Sequence, residues 1–340
     1  MTIDLRSDTV TRPTPSMLQA MISAEVGDDV FGDDLTVKKL EAKAAEMLGM
    51  DVAVFCPSGT MTNQIAIKLH TQPYDEIICW LGSHVYRYEG GGIAGNSGAN
   101  VKLLEGNRGV LSASEIESVI GNDLDPHQAR TALVSLESTL NRGGGNYYTL
   151  NDIKPIHELC NRKGIRLHLD GARLFNALVE TGESPTEYGK YFETISICLS
   201  KGLGAPVGSV LVMKKQYEHQ ARRIRKAFGG GMRQAGYLAA AGLFALENNI
   251  ERLKEDHRRA KSIETVLKTL PWVKNVLPVM TNIVIFTLKD EKPETVLQKL
   301  KEQHILAVKF GEHDIRMVTH LDFTNDMLEK TVEVLKRLTY

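Results

Sequence analysis

Short apolar runs recur along the first two thirds of the chain, and segments with helical periodicity lie between several of them. The helical segments include residues 15–24, 36–48 and 151–161, where Asn151 is a candidate N-cap. Alternation of this kind predicts an α/β protein whose mainly parallel sheet is covered by helices on both faces. The strand-like runs cover residues 52–55, 77–80, 132–136, 165–169, 195–199 and 209–213.

The pattern changes in the last third of the chain. Residues 214–270 are helical in periodicity, with interruptions at Gly229-Gly-Gly231 and Asn248-Asn249. An apolar run at 283–287, a helix at 293–304, short strands near 306–310 and 314–318, and a helix at 324–338 follow. We therefore expect a large domain of residues 1–248 and a small C-terminal α+β domain of residues 249–340.

Composition narrows the class of protein. A hydrophobic fraction of 42%, a charged fraction of 24% and a net charge of −1 are typical of a globular enzyme and favour neither nucleic acid nor a membrane as partner. No apolar run approaches the ~20 residues that span a bilayer. The early charges Asp4 and Arg6 argue against a secretory signal. The cysteines lack C-x-x-C spacing, so we expect reduced thiols and a cytoplasmic protein.

Lys201 and Asp170 each follow an apolar run. Lys201 begins a loop of small residues, Ser200-Lys-Gly-Leu-Gly-Ala-Pro, which leaves room for a bulky group beside the amine. A lysine that is neutral acts as a nucleophile and forms Schiff bases. An aspartate on one strand and a lysine after the next are the pair that pyridoxal phosphate requires, one at the ring nitrogen and one at the aldehyde. This cofactor is therefore predicted, bound in the large domain.

The segment Cys56-Pro-Ser-Gly-Thr60 follows a predicted strand and opens a helix. A helix N-terminus offers free N–H groups and the positive end of its dipole, which suits a phosphate. Ser58, Gly59 and Thr60 are the candidate ligands. The alternative is an ordinary helix cap that binds nothing.

His84 lies in an aromatic stretch, Ser83-His-Val-Tyr-Arg-Tyr88, where it could stack on a pyridine ring or move a proton. The alternative is a histidine whose hydrogen bonds are purely structural. The nearby Gly90-x-Gly92-x-x-Gly95 fits a dinucleotide fingerprint, but it follows a polar stretch, and the nearest acidic strand end, Glu105, comes too soon for the expected gap of ~20 residues spanning a helix. We therefore do not expect a dinucleotide there.

Basic residues of the C-terminal half supply candidate anion ligands. Lys226 and Arg233 flank the glycine triplet and could reach a phosphate, including one in a neighbouring subunit, whereas the alternative is a solvated helix face. Arg316 could hold a substrate carboxylate bidentately, or lie on an edge strand. We expect no metal site, because the clustered His and Cys spacing of metal centres is missing from the sequence.

Several motifs together resemble the low-specificity L-threonine aldolases, a family of fold-type-I pyridoxal phosphate enzymes. The resemblance covers nearly the whole chain and implies the aspartate-aminotransferase-like fold, with a seven-stranded type of sheet. The motifs are Leu5-Arg-Ser-Asp-Thr-Val-Thr-Arg-Pro13, Gly27-Asp-Asp-Val-Phe-Gly32, Pro57-Ser-Gly-Thr60, His168-Leu-Asp-Gly-Ala-Arg173, Ser200-Lys-Gly-Leu-Gly-Ala-Pro-Val-Gly208 and Gly229-Gly-Gly-Met-Arg-Gln234.

The resemblance assigns roles to individual positions. It implies that Lys201 forms the Schiff base, that Asp170 pairs with the ring nitrogen and that His84 stacks on the ring. It implies a homotetramer with active sites at subunit interfaces. It also implies that Gly59 and Thr60 bind the phosphate, with Arg233 reaching in from another subunit, that Ser7, Arg173 and Arg316 bind the substrate carboxylate, and that His127 lies near the substrate hydroxyl. Ser58, Arg173 and Lys226 are further candidate contacts of the cofactor.

One departure from the family pattern bears on substrate preference. Leu136-Glu-Ser-Thr-Leu-Asn141 stands where the family often has Glu-Asn-Thr-His-Asn, so we expect Ser138 and Leu140 to alter the lining of the site.

The expected reaction is retro-aldol cleavage of threonine, allo-threonine and related β-hydroxy-α-amino acids to glycine and an aldehyde. Either His84 or His127 would be the base. Two alternatives stay open at this point. The first is another reaction at Cα, such as β-elimination, racemisation or transamination, and the second is a cofactor-binding sensor without chemistry.

Overall fold

The computed structural model describes residues 2–122 and 124–338. Within them, seven strands form one sheet in the order β2-β8-β7-β6-β5-β3-β4. The neighbours pair in parallel, except that β8 runs antiparallel to β2 and to β7. These strands are β2 (Val52–Cys56), β3 (Glu76–Trp80), β4 (Asn100–Leu104), β5 (Thr131–Glu137), β6 (Arg166–Asp170), β7 (Thr194–Cys198) and β8 (Ser209–Met213). The predicted mainly parallel α/β sheet is confirmed.

The strand β4 was missing from the sequence prediction. It lies at the edge of the sheet, and its residues Asn100 and Leu103 are exposed while its other residues are half-buried. An edge strand of this kind carries polar residues and shows no continuous apolar run.

Helices follow most strands of this sheet. The helices of this part are α1 (Pro15–Ile22), α2 (Leu35–Met47), α3 (Gly59–His70), α4 (His84–Arg87), α5 (Gly92–Ser97), α6 (Ala113–Glu117), α7 (Leu150–Lys163), α8 (Leu174–Thr181), α9 (Pro185–Gly189), α10 (Glu218–Ala227) and α11 (Gly236–Asn248). The predicted N-cap Asn151 is wrong, because Thr149 caps α7. The N–H and Oγ1 of Thr149 both donate to Asp152 Oδ2, at 2.8 and 2.6 Å, so the acidic residue three positions on fixes the helix start.

A second, antiparallel sheet has the strand order β12-β13-β10-β9 and packs with helices in a separate hydrophobic cluster. Its elements are α12 (Leu253–Leu267), β9 (Val273–Val276), β10 (Ile283–Leu288), α13 (Pro293–Glu302), β11 (Ile305–Leu306), β12 (Val308–Lys309), β13 (Asp314–Val318) and α14 (Asn325–Arg337). Except for β9, which the sequence analysis missed, this is the predicted small α+β unit.

The first residues of the chain contribute to this second cluster. The strand β1 (Ile3–Asp4) pairs in parallel with β11, and Ile3 and Leu5 are buried among its apolar residues. Because β1 pairs with β11, the N-terminal segment that contains Ser7 is held beside the second sheet. The predicted division between residues 248 and 249 stays a prediction.

The carboxyl ends of the parallel strands β5, β6 and β7 meet at one edge of the large sheet. Glu137 ends β5, Asp170 ends β6, and Lys201 lies three residues beyond the end of β7. No helix within residues 2–122 or 124–338 is both long and apolar enough to cross a membrane.

Candidate active site

A cavity of about 450 Å³ opens at this edge of the large sheet, against the small antiparallel sheet. Its volume suits a small organic ligand. Several residues predicted from separate motifs meet there, namely Ser7, His84, Asp170, Arg173, Lys201 and Arg316.

Asp170 is the buried acidic group of this cavity, with 2% of its surface exposed. Its Oδ2 accepts a hydrogen bond from Asn63 Nδ2 at 2.9 Å, and its Oδ1 accepts one from the N–H of Ala172 at 3.2 Å. Lys201 lies in the loop that follows the neighbouring strand β7 and lines the same cavity. The predicted carboxylate and amine are therefore brought to one site by adjacent parallel strands.

His84 is held by a carboxylate that the sequence analysis missed. Its Nδ1 lies 2.9 Å from Glu89 Oε1, and the side chain of Glu89 is fully buried. Burial lowers the pKa of His84, but the hydrogen bond to Glu89 and the charge of Asp170 outweigh burial and raise the pKa above its ordinary value. Because Nδ1 is taken by Glu89, Nε2 is the nitrogen left to face a ligand.

Glu137 is a second missed carboxylate and lines the cavity directly. Its Oε2 accepts from the N–H of His84 at 2.6 Å, and its Oε1 accepts from the N–H of Asn141 at 2.9 Å. Burial and the charge of Asp170 raise the pKa of Glu137 to about 7, against the lowering effect of these donors. The only sequence signal was its place at the end of a buried strand.

Arg173 is already paired inside the protein. Its Nε and Nη2 donate to the two oxygens of Asp8 at 2.7 and 2.6 Å, and both side chains are buried. Burial raises the pKa of Asp8, but Arg173, Lys201 and Asn282 lower it, and the net pKa lies well below its usual range. The proposed contact of Arg173 with a substrate carboxylate stays a prediction.

Arg316 has no carboxylate partner within the described residues. It donates to Asn141 Oδ1 at 2.7 Å and to the carbonyl of Arg6 at 3.0 Å, and it lies over the ring of Phe310. Its buried Nε has no hydrogen-bond partner there. Burial and the nearby charge of Arg173 lower the pKa of Arg316 to about 10, so it is still a cation at neutral pH. Arg316 is thus a cation available for an anionic ligand.

The predicted phosphate end lies at the start of α3. Ser58 is the N-cap, and its Oγ accepts from the N–H of Met61 at 3.2 Å. The N–H groups of Gly59 and Thr60 point out of the first turn, as in any helix. A Cβ atom at Gly59 would lie 2.6 Å from Cys198 Sγ, so close packing against β7 also requires glycine at this position.

Lys226 and Arg233 do not line the cavity of their own chain. Lys226 is exposed at the end of α10. Arg233 is half-exposed, and its Nη1 lies 2.9 Å from Asp28 Oδ2. A contact with the phosphate in a neighbouring subunit stays a prediction for both residues.

Comparison with known proteins identifies the family. Residues 4–291 match the family described as beta-eliminating lyase. The low specificity L-threonine aldolase of Escherichia coli strain K12 is 41% identical over 327 residues, which cover 96% of each chain. Low-specificity L-threonine aldolase 1 of Arabidopsis thaliana is 38% identical over 98% of this chain and 96% of its own. The chain belongs to the low-specificity L-threonine aldolase family.

Solved structures agree with this fold. The threonine aldolase of Leishmania major has a TM-score of 0.86 at 23% identity, covering 98% of this chain and 99% of its own. The serine palmitoyltransferase of Sphingomonas wittichii has a TM-score of 0.77 at 17% identity, covering 98% of this chain and 86% of its own. The aldolase family and its fold-type-I architecture are those that the sequence motifs indicated.

His127, the second histidine expected from the aldolase family, lies elsewhere in this chain. Its side chain is 90% exposed, and its Nδ1 lies 2.9 Å from Asp125 Oδ1. It lines a different cavity, beside Tyr74 and Asp75. A role for His127 at the substrate hydroxyl stays a prediction and requires the active site of another subunit.

The expected effect of Ser138 and Leu140 on the lining of the site is wrong. Both side chains are fully buried, and Leu140 packs in the main hydrophobic cluster. Every second residue from the end of β5 lines the cavity instead, namely Glu137, Thr139 and Asn141. The departure from the aldolase family pattern therefore changes buried residues that lie next to the residues lining the cavity.

Proposed function

We propose that this protein is a pyridoxal phosphate-dependent carbon–carbon lyase. It cleaves L-threonine, L-allo-threonine and related β-hydroxy-α-amino acids to glycine and an aldehyde. The observation that carries the proposal is one cavity in which Lys201, Asp170 and His84 meet beside Arg316. The relatives named as threonine aldolases support the choice of substrate.

The groups at this edge of the sheet fit pyridoxal phosphate. Asp170 is a buried carboxylate suited to a protonated ring nitrogen, Lys201 is an amine suited to the aldehyde, and the N-terminus of α3 suits the phosphate. When bound, the cofactor supplies an electrophilic aldehyde for the amino group and a protonated ring that accepts the electrons of the breaking Cα–Cβ bond.

Arg316 and Ser7 orient the amino acid by its carboxylate. Arg316 is held by hydrogen bonds from its Nη1 to Asn141 Oδ1 and from its Nη2 to the carbonyl of Arg6, and its Nε has no partner within the described residues and would donate to an anion. Ser7 Oγ accepts a hydrogen bond from the N–H of Thr9 at 3.2 Å. This bond holds the Ser7 side chain at the cavity. A fixed carboxylate would limit rotation about the bond between the amino nitrogen and Cα, and so would select which bond at Cα breaks.

His84 is the proposed base. Its Nε2 takes the proton of the β-hydroxyl, and Glu89 stabilises the resulting positive charge through Nδ1. Lys201 lines the same cavity, and its Nζ would hold the aldehyde of the cofactor when no substrate is bound. The buried Glu137 accepts hydrogen bonds from the main-chain N–H groups of His84 and Asn141 and so fixes the positions of both residues at the cavity.

We also propose a homo-oligomer, with a tetramer as the expected form and active sites at the interfaces. Exposed apolar side chains near the α1 and α11 surface support it, notably Ile22 at 75%, Phe31 at 78% and Tyr237 at 45% exposure. A cytoplasmic location stays part of the proposal, supported by four cysteines that are buried and unpaired.

The test is a panel of stereoisomers given to the purified enzyme with added cofactor. L-Threonine and L-allo-threonine should release acetaldehyde and glycine in equal amounts. The description of the matching family favours β-elimination as the second candidate, which would release 2-oxobutyrate and ammonia instead. Formation of 2-oxobutyrate without acetaldehyde would reject the aldolase proposal.

A further inference from the structure

Asn63 of α3 lies between the two carboxylates that border the cofactor end of the site. Its side chain is buried, and its Nδ2 donates to Glu89 Oε1 at 2.8 Å and to Asp170 Oδ2 at 2.9 Å. A ring nitrogen of His84, a carboxylate oxygen of Glu89 and a carboxylate oxygen of Asp170 all lie within 4.8 Å of one another. A single amide group therefore bridges the carboxylate that serves the ring nitrogen and the carboxylate that holds His84.

The orientation of this amide is fixed by its other end. Asn63 Oδ1 lies 3.2 Å from His168 Nε2, and His168 Nδ1 lies 2.9 Å from Thr194 Oγ1. A flipped amide would place its oxygen against two carboxylates, which is unfavourable. This orientation requires His168 Nε2 to carry the hydrogen and Nδ1 to accept from the Thr194 hydroxyl, which lies closer to Nδ1 than the Thr194 carbonyl oxygen at 3.2 Å. Burial lowers the pKa of His168 to about 4, so this histidine is neutral at physiological pH.

We propose that Asn63 is a positioning residue that bridges the adjacent carboxylates of Asp170 and Glu89 and so couples the ring-nitrogen partner to the base His84. The proposal rests on the proposed function, because Asp170 is assigned to the cofactor there. Two close carboxylates in a buried site repel each other, and one of them tends to take up a proton. An amide with two hydrogens, one for each carboxylate, reduces this repulsion without adding a charge.

Gln64 provides a matched comparison. Its Nε2 donates to Glu89 Oε2 at 2.7 Å, and its Oε1 accepts from Asn96 at 3.2 Å. Gln64 thus supports the carboxylate behind His84 but makes no hydrogen bond to Asp170. Loss of Asn63 should affect both sides of the site, whereas loss of Gln64 should affect the His84 side alone.

Other titratable groups face this network and stay unchanged in the comparison. His168 faces Asp170 from β6, Glu137 faces both Asp170 and His84 from β5, and Lys201 acts on His84 from the loop after β7. Because both variants keep these groups, a difference between the variants reports on the two amides.

The experiment compares wild type, Asn63→Leu and Gln64→Leu, each loaded with pyridoxal phosphate. The pH dependence of the visible absorbance of the bound cofactor should shift by about one unit or more in Asn63→Leu, the effect of one lost hydrogen bond to a carboxylate. It should stay at the wild-type position in Gln64→Leu. In Asn63→Leu kcat should also fall more than KM changes. An unshifted absorbance profile in Asn63→Leu, or equal shifts in both variants, would overturn the inference.

A second measurement uses the cofactor-free protein. Without the amide, the two carboxylates bind protons more readily in the folded state than in the unfolded state, so stability falls as pH rises. The loss of thermal stability of Asn63→Leu relative to wild type should therefore grow from pH 5 to pH 8, and a loss that is constant with pH would contradict the proposal. If Asn63→Leu does not fold, Asn63→Ser takes its place, because one hydroxyl hydrogen serves only one carboxylate. Wild-type profiles for both absorbance and turnover in Asn63→Ser would reject the role.

These results separate the inference from the proposed function. A wild-type protein that binds no pyridoxal phosphate rejects the proposed function, while the stability comparison still tests the bridge. A wild-type protein that binds the cofactor and releases acetaldehyde, together with an unaffected Asn63→Leu, rejects the inference alone.

Discussion

Arg173 and Asp8 form a buried bidentate ion pair, with Nε–Oδ2 and Nη2–Oδ1 distances of 2.7 and 2.6 Å. This pair joins the N-terminal segment to the loop after β6 across 165 positions of sequence. It places Ser7, the neighbour of Asp8, at the active-site cavity. The ion pair therefore both stabilises the fold and fixes the position of Ser7, which is proposed to bind the substrate carboxylate.

Asp8→Asn should lower the free energy of unfolding by about 3–5 kcal/mol at pH 7, because it leaves the buried Arg173 charge without its partner. The folded pKa of Asp8 is lowered, so its contribution is present above the unfolded pKa of about 3.9 and is lost as pH falls towards the folded value. The difference between wild type and variant should therefore shrink below about pH 4. Denaturant unfolding over this pH range measures it, with the exposed Asp290→Asn as control.

Lys201→Ala should abolish the covalent attachment of pyridoxal phosphate, and with it the visible absorbance of the holoenzyme and its turnover. The fold should be retained, because the side chain of Lys201 forms no hydrogen bond or ion pair within residues 2–122 and 124–338. Lys309→Ala is a matched control, since Lys309 also lines the cavity but pairs with the exposed Glu294. Retained turnover in Lys201→Ala would refute the assignment.

Asp170→Asn should reduce kcat by roughly 100-fold or more, because a neutral amide no longer stabilises the protonated ring. The substitution keeps the size of the side chain, so the cavity should be preserved. Steady-state kinetics with L-threonine and the affinity for pyridoxal phosphate measure the effect. A variant with unchanged kcat would show that Asp170 does not serve the ring.

Arg316→Gln should raise KM for L-threonine by about 10- to 100-fold, the range expected for losing a hydrogen bond to a charged group. The effect on kcat should be smaller if Arg316 holds the carboxylate equally in the ground and transition states. Arg142→Gln is the comparison, because Arg142 also lies over the ring of Phe310 but donates to Tyr88 at 2.7 Å. A larger effect in Arg142→Gln would move the carboxylate site to that residue.

Glu89→Gln should shift the acid limb of the pH profile of kcat/KM to lower pH by about one unit. Glu89 raises the pKa of His84, so removing its charge lowers that pKa and leaves more neutral imidazole at acidic pH. The plateau of the profile should fall, because the imidazole becomes a weaker base. An unmoved acid limb would argue that His84 is not the group that titrates.

The sequence by itself determined the parallel sheet and the meeting of Lys201 with Asp170. Each of these residues follows an apolar run long enough for a buried strand, and parallel strands expose their carboxyl ends at one edge. The motifs also fixed the family, because they are spread over nearly the whole chain. The edge strand β4 escaped detection because it shows no continuous apolar run, and the two-residue strand β1 escaped it because its partner β11 lies near the other end of the chain.

Only the tertiary structure decided which groups neutralise and hold these residues. Asn63 meets Asp170 across 107 positions, and Glu137 meets the main chain of His84 across 53. It also decided that Arg173 is paired with Asp8 while Arg316 has no carboxylate partner within the described residues. The physical reason is that a buried charge or amide is stable only with a partner of the right geometry, and packing of the whole chain, rather than local pattern, supplies that partner.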